Sequence, residues 1–316
     1  MSVALVTGAG GFIGSALCER LRSLGWQVRA VGRGTSFGSD RSVILCDDLA
    51  AVSPARLDDW LDGVDVVYHL AGRAHRDDRG PELERYELYR RDNVATTRLL
   101  FAAAQRNSVG RFIYLSSIKV LGDVSEVPLS PDDEPDPKDV YAQTKLEAER
   151  YLEDARRPGG TQVTIVRPPL VYGPGVKGNF ATLLAAVASG LPLPLGRADA
   201  PRSFIARANL VDLLTIAARD TADWRILHAR DDGDCSVREL VTQMARAFGH
   251  APRLVPVPRG LIRMATSMSG REALFQRLFE PLVIADEETR QALGWTPAVP
   301  QSNAIDEVID WWRSKR

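Results

Sequence analysis

Apolar positions along this chain fall first into short continuous runs and then into helical rows. Residues 3–6 are an unbroken apolar run of strand length, and residues 15–24 then carry apolar side chains at helical spacing. The alternation recurs. Residues 27–31, 42–46, 64–70, 111–115 and 161–166 read as strands, and 54–61, 81–106 and 139–156 as helices. Strands that alternate with helices predict parallel βαβ units and hence a doubly wound α/β sheet. The stretch 128–137 is acidic and proline-rich, and reads as a surface loop.

Beyond Arg167 the pattern loosens. Residues 180–189, 210–219, 237–248 and 305–312 read as helices, and 225–229 as a strand. The expected division is a dinucleotide-binding unit over 1–167 and a smaller, mainly substrate-binding lobe over 168–316. Some segments of that lobe are expected to return to the core sheet. The lobe would cover the C-terminal edge of the sheet, where such folds bind ligands. Residues 260–282 are apolar with interspersed arginines. They predict an amphipathic helix packed in the small lobe or at a subunit contact, with a membrane surface as the alternative.

Composition removes several partners. The chain has 316 residues and a net charge of -1, so it presents no basic field for nucleic acid. Cys18, Cys46 and Cys235 are odd in number and far apart, and His69, His75, His228 and His250 are scattered. Neither set has disulfide or metal-site spacing, so no metal is expected and a reducing cytoplasm fits. The N-terminus runs straight into the first strand, so no signal peptide is expected. No apolar run approaches the ~20 residues needed to span a bilayer. Only five of the forty basic residues are lysines, Lys119, Lys138, Lys145, Lys177 and Lys315, which makes each worth locating.

Three patterns carry chemistry. Gly8, Gly11 and Gly14 lie between the first strand and first helix. That is the context of a dinucleotide cradle: a tight turn, close backbone approach to a pyrophosphate, and a helix N-terminus facing anionic oxygens. Tyr141 and Lys145 are four residues apart near a helix start, which puts them on one face. A buried ammonium beside a phenol would lower the tyrosine pKa from about 10 and make a usable general acid or base. By itself the spacing fits a surface pair equally well. Ser116 and Ser117 follow directly on an apolar strand. Alone, either would cap the next turn. In sequence order with the glycines and the Tyr/Lys pair, a catalytic hydroxyl is the better reading.

Together with these, Thr7-Gly-Ala-Gly-Gly-Phe-Ile-Gly14, Asp48-Leu49, His69-Leu-Ala-Gly72, Asn93-Val94 and Arg167-Pro-Pro-Leu-Val-Tyr-Gly-Pro-Gly175 resemble the extended short-chain dehydrogenase/reductase family. The likeness reaches Leu293-Gly-Trp-Thr-Pro297 and is to nucleotide-sugar epimerases, dehydratases and reductases. It implies a Rossmann-type doubly wound parallel sheet with a smaller C-terminal substrate-binding lobe. It also implies roles. Gly8, Gly11, Phe12, Ile13 and Gly14 would hold the cofactor, with Asp48 and Leu49 at the adenine. Leu70, Ala71, Gly72, Asn93 and Ser116 would line its path, and Pro168 would sit beside the nicotinamide amide. Ser117 would bond the reacting sugar oxygen, Tyr141 would exchange the proton, and Lys145 would bind the nicotinamide ribose. Asn179 would contact the sugar nucleotide, and Arg202 and Arg277 would clamp its diphosphate. Lys119 would reach the diphosphate or an acidic sugar, or else point to solvent.

Two departures narrow the reaction. Family dehydratases place an acidic pair after the catalytic hydroxyl, where this chain has Ile118 and Lys119. NAD-selective members place a carboxylate at the end of the second strand, where this chain has Val31-Gly32-Arg33. Arg33 can pair with a 2′-phosphate, so NADP(H) is expected, with NAD(H) the alternative. The segments 116–120 and 167–180 resemble bacterial surface-polysaccharide enzymes of O-antigen and lipopolysaccharide synthesis. These reduce the 4-keto group of UDP-4-keto-6-deoxy-N-acetylhexosamines. A UDP-hexose or UDP-N-acetylhexosamine 4-epimerase with tightly bound NAD is the second expectation, and a non-catalytic cofactor-sensing scaffold the third. The family pairs the helices over 81–106 and 139–156 with a second subunit, so a homodimer is expected.

Overall fold

The computed structural model describes residues 2–33, 43–74 and 80–315. The sequence reads as a glycine-rich loop over 32–38; its residues beyond Arg33, together with Ser42 and His75, lie outside the described residues. The first half alternates as its apolar pattern requires: β1 (Val3–Thr7), α1 (Phe12–Ser23), β2 (Gln27–Gly32), β3 (Val43–Leu45), α2 (Pro54–Leu61) and β4 (Val66–His69). Then come α3 (Glu82–Arg90), a π turn (Arg91–Ala95), α4 (Thr96–Arg106), β5 (Arg111–Leu115), β6 (Ser125–Leu129), α5 (Val140–Ala155) and β7 (Gln162–Arg167). Every residue of β4 and β5 is buried. Strands covered on both faces need no alternation, which is why they read as continuous apolar runs.

The remaining elements are β8 (Leu170–Tyr172), α6 (Gly178–Ala188), β9 (Pro201–Arg202), β10 (Phe204–Ala206), α7 (Arg207–Ala217), β11 (Trp224–His228), β12 (Cys235–Ser236) and α8 (Val237–Ala247). They end with α9 (Arg259–Met268), α10 (Glu272–Phe279), β13 (Leu282–Ile284), α11 (Glu287–Leu293) and α12 (Gln301–Ser314). Among the described residues the main sheet has seven strands in the order β11-β7-β5-β4-β1-β2-β3, and all these pairings are parallel. One face packs Leu57, Trp60, Leu100, Phe101 and Leu152 from α2, α4 and α5. The other packs Leu17, Leu21, Leu210, Leu213 and Trp295. A third cluster, with Tyr172, Phe180, Leu240, Phe275 and Ile305, fills the small lobe.

Several elements depart from the sequence expectation. The helix expected over 81–106 carries a π turn at its middle. The loop expected over 128–137 begins with the end of β6, whose Leu129 is buried and pairs with β13. Residues 260–282 form two helices and a strand, because Gly270 turns the chain at φ +66. Chain order reverses between β1 and β4, and the candidate site lies at the C-terminal ends of these strands.

Candidate active site

The cradle starts where β1 ends. Gly8 sits at φ +70, and a Cβ there would lie 2.8 Å from the Ala71 backbone nitrogen. A Cβ on Gly14 would lie 2.2 Å from the Gly8 carbonyl oxygen. Both positions therefore exclude any side chain. Gly11 caps α1 without a side chain, and the first turn of α1 carries no acidic residue. The first N–H groups of the helix are left to an anion, so these residues fit the pyrophosphate of a dinucleotide.

A chain of hydrogen bonds runs from the cradle toward the candidate catalytic helix. The Ala71 N–H donates to Thr7 Oγ1 at 3.2 Å. Thr7 Oγ1 is 2.8 Å from His69 Nδ1, and His69 Nε2 is 3.0 Å from Thr97 Oγ1. Thr97 in turn donates to the Asn93 carbonyl at 2.6 Å. Burial pushes His69 down to about 3, with the Lys145 charge acting in the same direction. A neutral imidazole with its proton on Nε2 satisfies every link. The π turn aims Asn93 inward: its Oδ1 accepts from Arg73 N at 2.7 Å and its Nδ2 donates to Thr144 Oγ1 at 3.0 Å. Asn93 thus joins the chain after β4 to the helix that carries Lys145. A Cβ on Gly72 would lie 2.9 Å from Asn93 Oδ1 and 3.5 Å from Lys145 Nζ.

At the position expected to meet the adenine, Asp48 Oδ1 accepts from Ala50 N at 3.1 Å and its other oxygen pairs with Arg91. Leu49 begins the short turn that Asp48 caps. Arg33 is exposed just past β2. Phe12, Ile13 and Leu70 are half-buried. Pro168 is buried, and its carbonyl accepts from Ile118 N at 3.0 Å.

β5 delivers the two serines. Ser116 N bonds the Val166 carbonyl at 2.8 Å, while its buried Oγ has no partner. Ser117 does cap the turn Ile118–Val120, accepting from Lys119 N at 3.3 Å, and it also hydrogen-bonds Tyr141. Asp139 caps α5 by accepting from Ala142 N at 2.8 Å, which fixes the turn bearing Tyr141. Lys145 is buried; its Nζ donates to the Leu115 carbonyl at 2.7 Å and lies 4.5 Å from the centre of the Tyr114 ring. Burial pushes Lys145 down to about 8, against the opposing pull of Glu149.

The expected lowering of the tyrosine pKa is not found. Burial pushes Tyr141 up; the Ser117 hydrogen bond opposes it, while Asp139 and Tyr89 add to it. Lys145 spends its ammonium on the Leu115 carbonyl and the Tyr114 ring, so desolvation decides. The phenol is held neutral, as a proton donor.

On the substrate side, Lys119 points neither to open solvent nor to a free anion site. Its Nζ pairs with Asp139 and lies 3.2 Å from Asp123. Burial would raise Asp139, but the hydrogen bond and charge of Lys119 outweigh it and hold the carboxyl low, with Arg277 adding to the effect. Arg202 is buried, and its Nη1 donates to the carbonyls of Gln276 at 3.3 Å and Glu280 at 2.5 Å. Burial pushes Arg202 down to about 10, opposed by Asp123 and assisted by Arg277. The structure therefore gathers Lys119, Arg202 and Arg277 with two carboxylates, while Asn179 is exposed in the first turn of α6. Ile118 is buried, so no acid follows Ser117 directly.

Arg207 carried no sequence signal, because its partners are nearly two hundred residues away. Its Nη1 is 3.4 Å from the Phe12 carbonyl and its guanidinium 5.2 Å from the Phe12 ring centre. A Cβ on Gly173 would meet the Arg207 Cβ at 2.8 Å. Arg207 thus pins the 173–175 loop against the start of α1. Among the described residues, no group of three or more His, Cys, Asp or Glu side chains could hold a metal.

The NAD dependent epimerase/dehydratase family matches residues 4–226. A UDP-glucose 4-epimerase of Vibrio cholerae is 35% identical over 299 residues, 93% of this chain and 90% of that protein. The dTDP-6-deoxy-L-talose 4-dehydrogenase (NAD(P)(+)) of Kitasatospora kifunensis is 26% identical over 314 residues, 96% of this chain and 93% of that protein. The solved structure of MoeE5 in complex with UDP-glucose and NAD superposes with a TM-score of 0.79 at 29% identity, covering 99% of both chains. The parallel-sheet fold, the glycine cradle and these relatives agree, and the chain belongs to the NAD dependent epimerase/dehydratase family.

Proposed function

We propose that this protein carries out oxidoreduction at C4 of a UDP-sugar, and that its net reaction is reduction of a UDP-4-keto-6-deoxy-N-acetylhexosamine for surface-polysaccharide synthesis. The observation that carries this reading is the meeting of Ser117, at the end of β5, with Tyr141 and the buried Lys145 in the first turns of α5, where Lys145 Nζ donates to the Leu115 carbonyl and burial keeps the Tyr141 phenol neutral. Reduction begins with proton donation, and a protonated phenol is the form it needs. Tyr141 would give its proton to the C4 oxygen. Ser117 would hydrogen-bond that oxygen as negative charge develops on it. Lys145 would hold the nicotinamide ribose from its place against the Leu115 carbonyl. A bound nicotinamide dinucleotide supplies the hydride.

The remaining residues would bind and orient. Gly8, Gly11 and Gly14 would hold the pyrophosphate, Asp48 and Leu49 the adenine, and Ala71, Gly72 and Pro168 the nicotinamide side. Asn179, Arg202 and Arg277 would face the sugar diphosphate, with Lys119 held beside them by Asp123 and Asp139. The absence of a carboxylate at Val31, Gly32 and Arg33 supports NADP(H); the NAD of the solved relative supports NAD(H). A homodimer through α3 and α5 is also proposed, supported by Leu83 and Leu88 of α3 being 71% and 41% exposed.

The second reading is a 4-epimerase that keeps its NAD, favoured by the relative at 35% identity. The cofactor separates the two. Net reduction is expected to consume one NADPH per 4-keto sugar, with no dinucleotide retained on purification. Stoichiometric bound NAD and interconversion of UDP-hexoses without net cofactor use would assign the epimerase instead.

A further inference from the structure

We propose that the outer edge of the small lobe, residues 255–274, rests on an anionic lipid surface. Two independent observations meet there. The first is apolar exposure. Among the described residues thirteen large hydrophobic residues are exposed, and five of them fall in this short stretch: Val255, Leu261, Met264, Met268 and Leu274. Helix α9 has no fully buried residue. It leans on the lobe through half-buried Ile262 and Thr266. Leu261, Met264, Ala265 and Met268, at i, i+3, i+4 and i+7, form one outward stripe on which Met268 is 83% exposed.

The second is charge. The whole chain is nearly balanced, with 40 basic and 41 acidic residues. Between Glu239 and Glu272, however, stand Arg246, Arg253, Arg259, Arg263 and Arg271 without one aspartate or glutamate; Arg259 pairs with Glu280 and Arg263 with Glu272, which leaves the segment with an excess of positive charge. An exposed apolar stripe on a basic segment is the combination that binds in the plane of an anionic lipid surface. No helix among the described residues is long and apolar enough to cross a membrane. A second copy of the chain is the rival occupant. An isologous contact through this stripe would bring two faces of the same excess positive charge together, and that opposes association.

The placement has a consequence for the site. The inner side of the same hairpin holds Arg202 through the Gln276 and Glu280 carbonyls, and Arg277 acts on Asp139. The surface that touches lipid is therefore the back of the wall beside the candidate diphosphate site.

The test is co-sedimentation of the full-length protein with vesicles of phosphatidylcholine alone or mixed with phosphatidylglycerol. Binding is expected to the anionic vesicles only and to weaken at least about tenfold at high salt. Met264→Asp/Met268→Asp and, separately, Arg263→Glu/Arg271→Glu are expected to lose binding while keeping the thermal midpoint and the turnover of soluble sugar nucleotide. Failure of the wild type to sediment would overturn the proposal. So would undiminished binding by both folded variants, or a stripe whose substitution only dissolves a dimer seen by light scattering.

Discussion

Tyr141 and Lys145 lie on one helix face, and burial moves their proton affinities in opposite directions, up for the phenol and down for the ammonium. Both shifts favour the neutral form. The sign for Lys145 is clear: below about 8 it carries its charge, and above that value it loses it. The kcat/KM profile of the free enzyme is therefore expected to fall on an alkaline limb near pH 8. A limb near the ordinary lysine value of about 10.5 would contradict that environment. At the cradle, Gly14→Ala forces a Cβ to 2.2 Å from Gly8 oxygen, whereas a Cβ on Gly260 meets nothing within 4 Å. Dinucleotide affinity, followed by fluorescence titration, is expected to drop at least about tenfold for Gly14→Ala and to hold for Gly260→Ala. Equal affinities would refute the cradle. The glycines, the serines and the Tyr/Lys pair were legible because each signal is local. Arg207 was not, nor was Asp231, which is buried and accepts hydrogen bonds from Tyr172, Ala206 and Asn209, because their partners are remote in sequence.

Elements were readable in proportion to their length and burial. β4 and β5 are buried throughout, and their apolar runs stand out. β9 and β12 have two residues each and form in answer to one another, so no periodicity can announce them. The π turn was equally silent, although it is what brings Asn93 to Thr144 and Arg73. The most consequential link between elements is the ion pair of Arg167 at the end of β7 with Glu149 of α5. Both side chains are 4% exposed, Arg167 Nη2 is 2.7 Å from Glu149 Oε2, and Arg167 Nη1 also donates to Pro131 oxygen at 3.1 Å. Arg167→Leu leaves a buried carboxylate unpaired and is expected to cost about 3–5 kcal/mol in urea unfolding. A loss under about 1 kcal/mol would mean the pair adds little.

The whole molecule explains how a regularly alternating first half and a loosely patterned second half make one site. β11 returns to the edge of the main sheet beside β7, and α7 packs on the same face as α1. The Asp231 cluster reaches the chain before α12, where Asn209 exchanges two hydrogen bonds with Val299. These ties hold the small lobe over the strand ends, so Arg202 and Arg277 come to face Lys119 and Asp139. The parallel sheet followed from the alternation of elements, but this closure depends on contacts that no local pattern encodes. On the proposed function, Tyr141 exchanges the proton at C4 of a bound UDP-sugar. The most direct test of this exchange is single-turnover conversion of UDP-4-keto-6-deoxy-N-acetylhexosamine and UDP-hexoses by wild type and Tyr141→Phe, with sugar-nucleotide affinity measured alongside. Turnover at C4 is expected of the wild type, with a loss of about 10²–10⁴-fold in the variant at unchanged affinity. Turnover by Tyr141→Phe at the wild-type rate would contradict it.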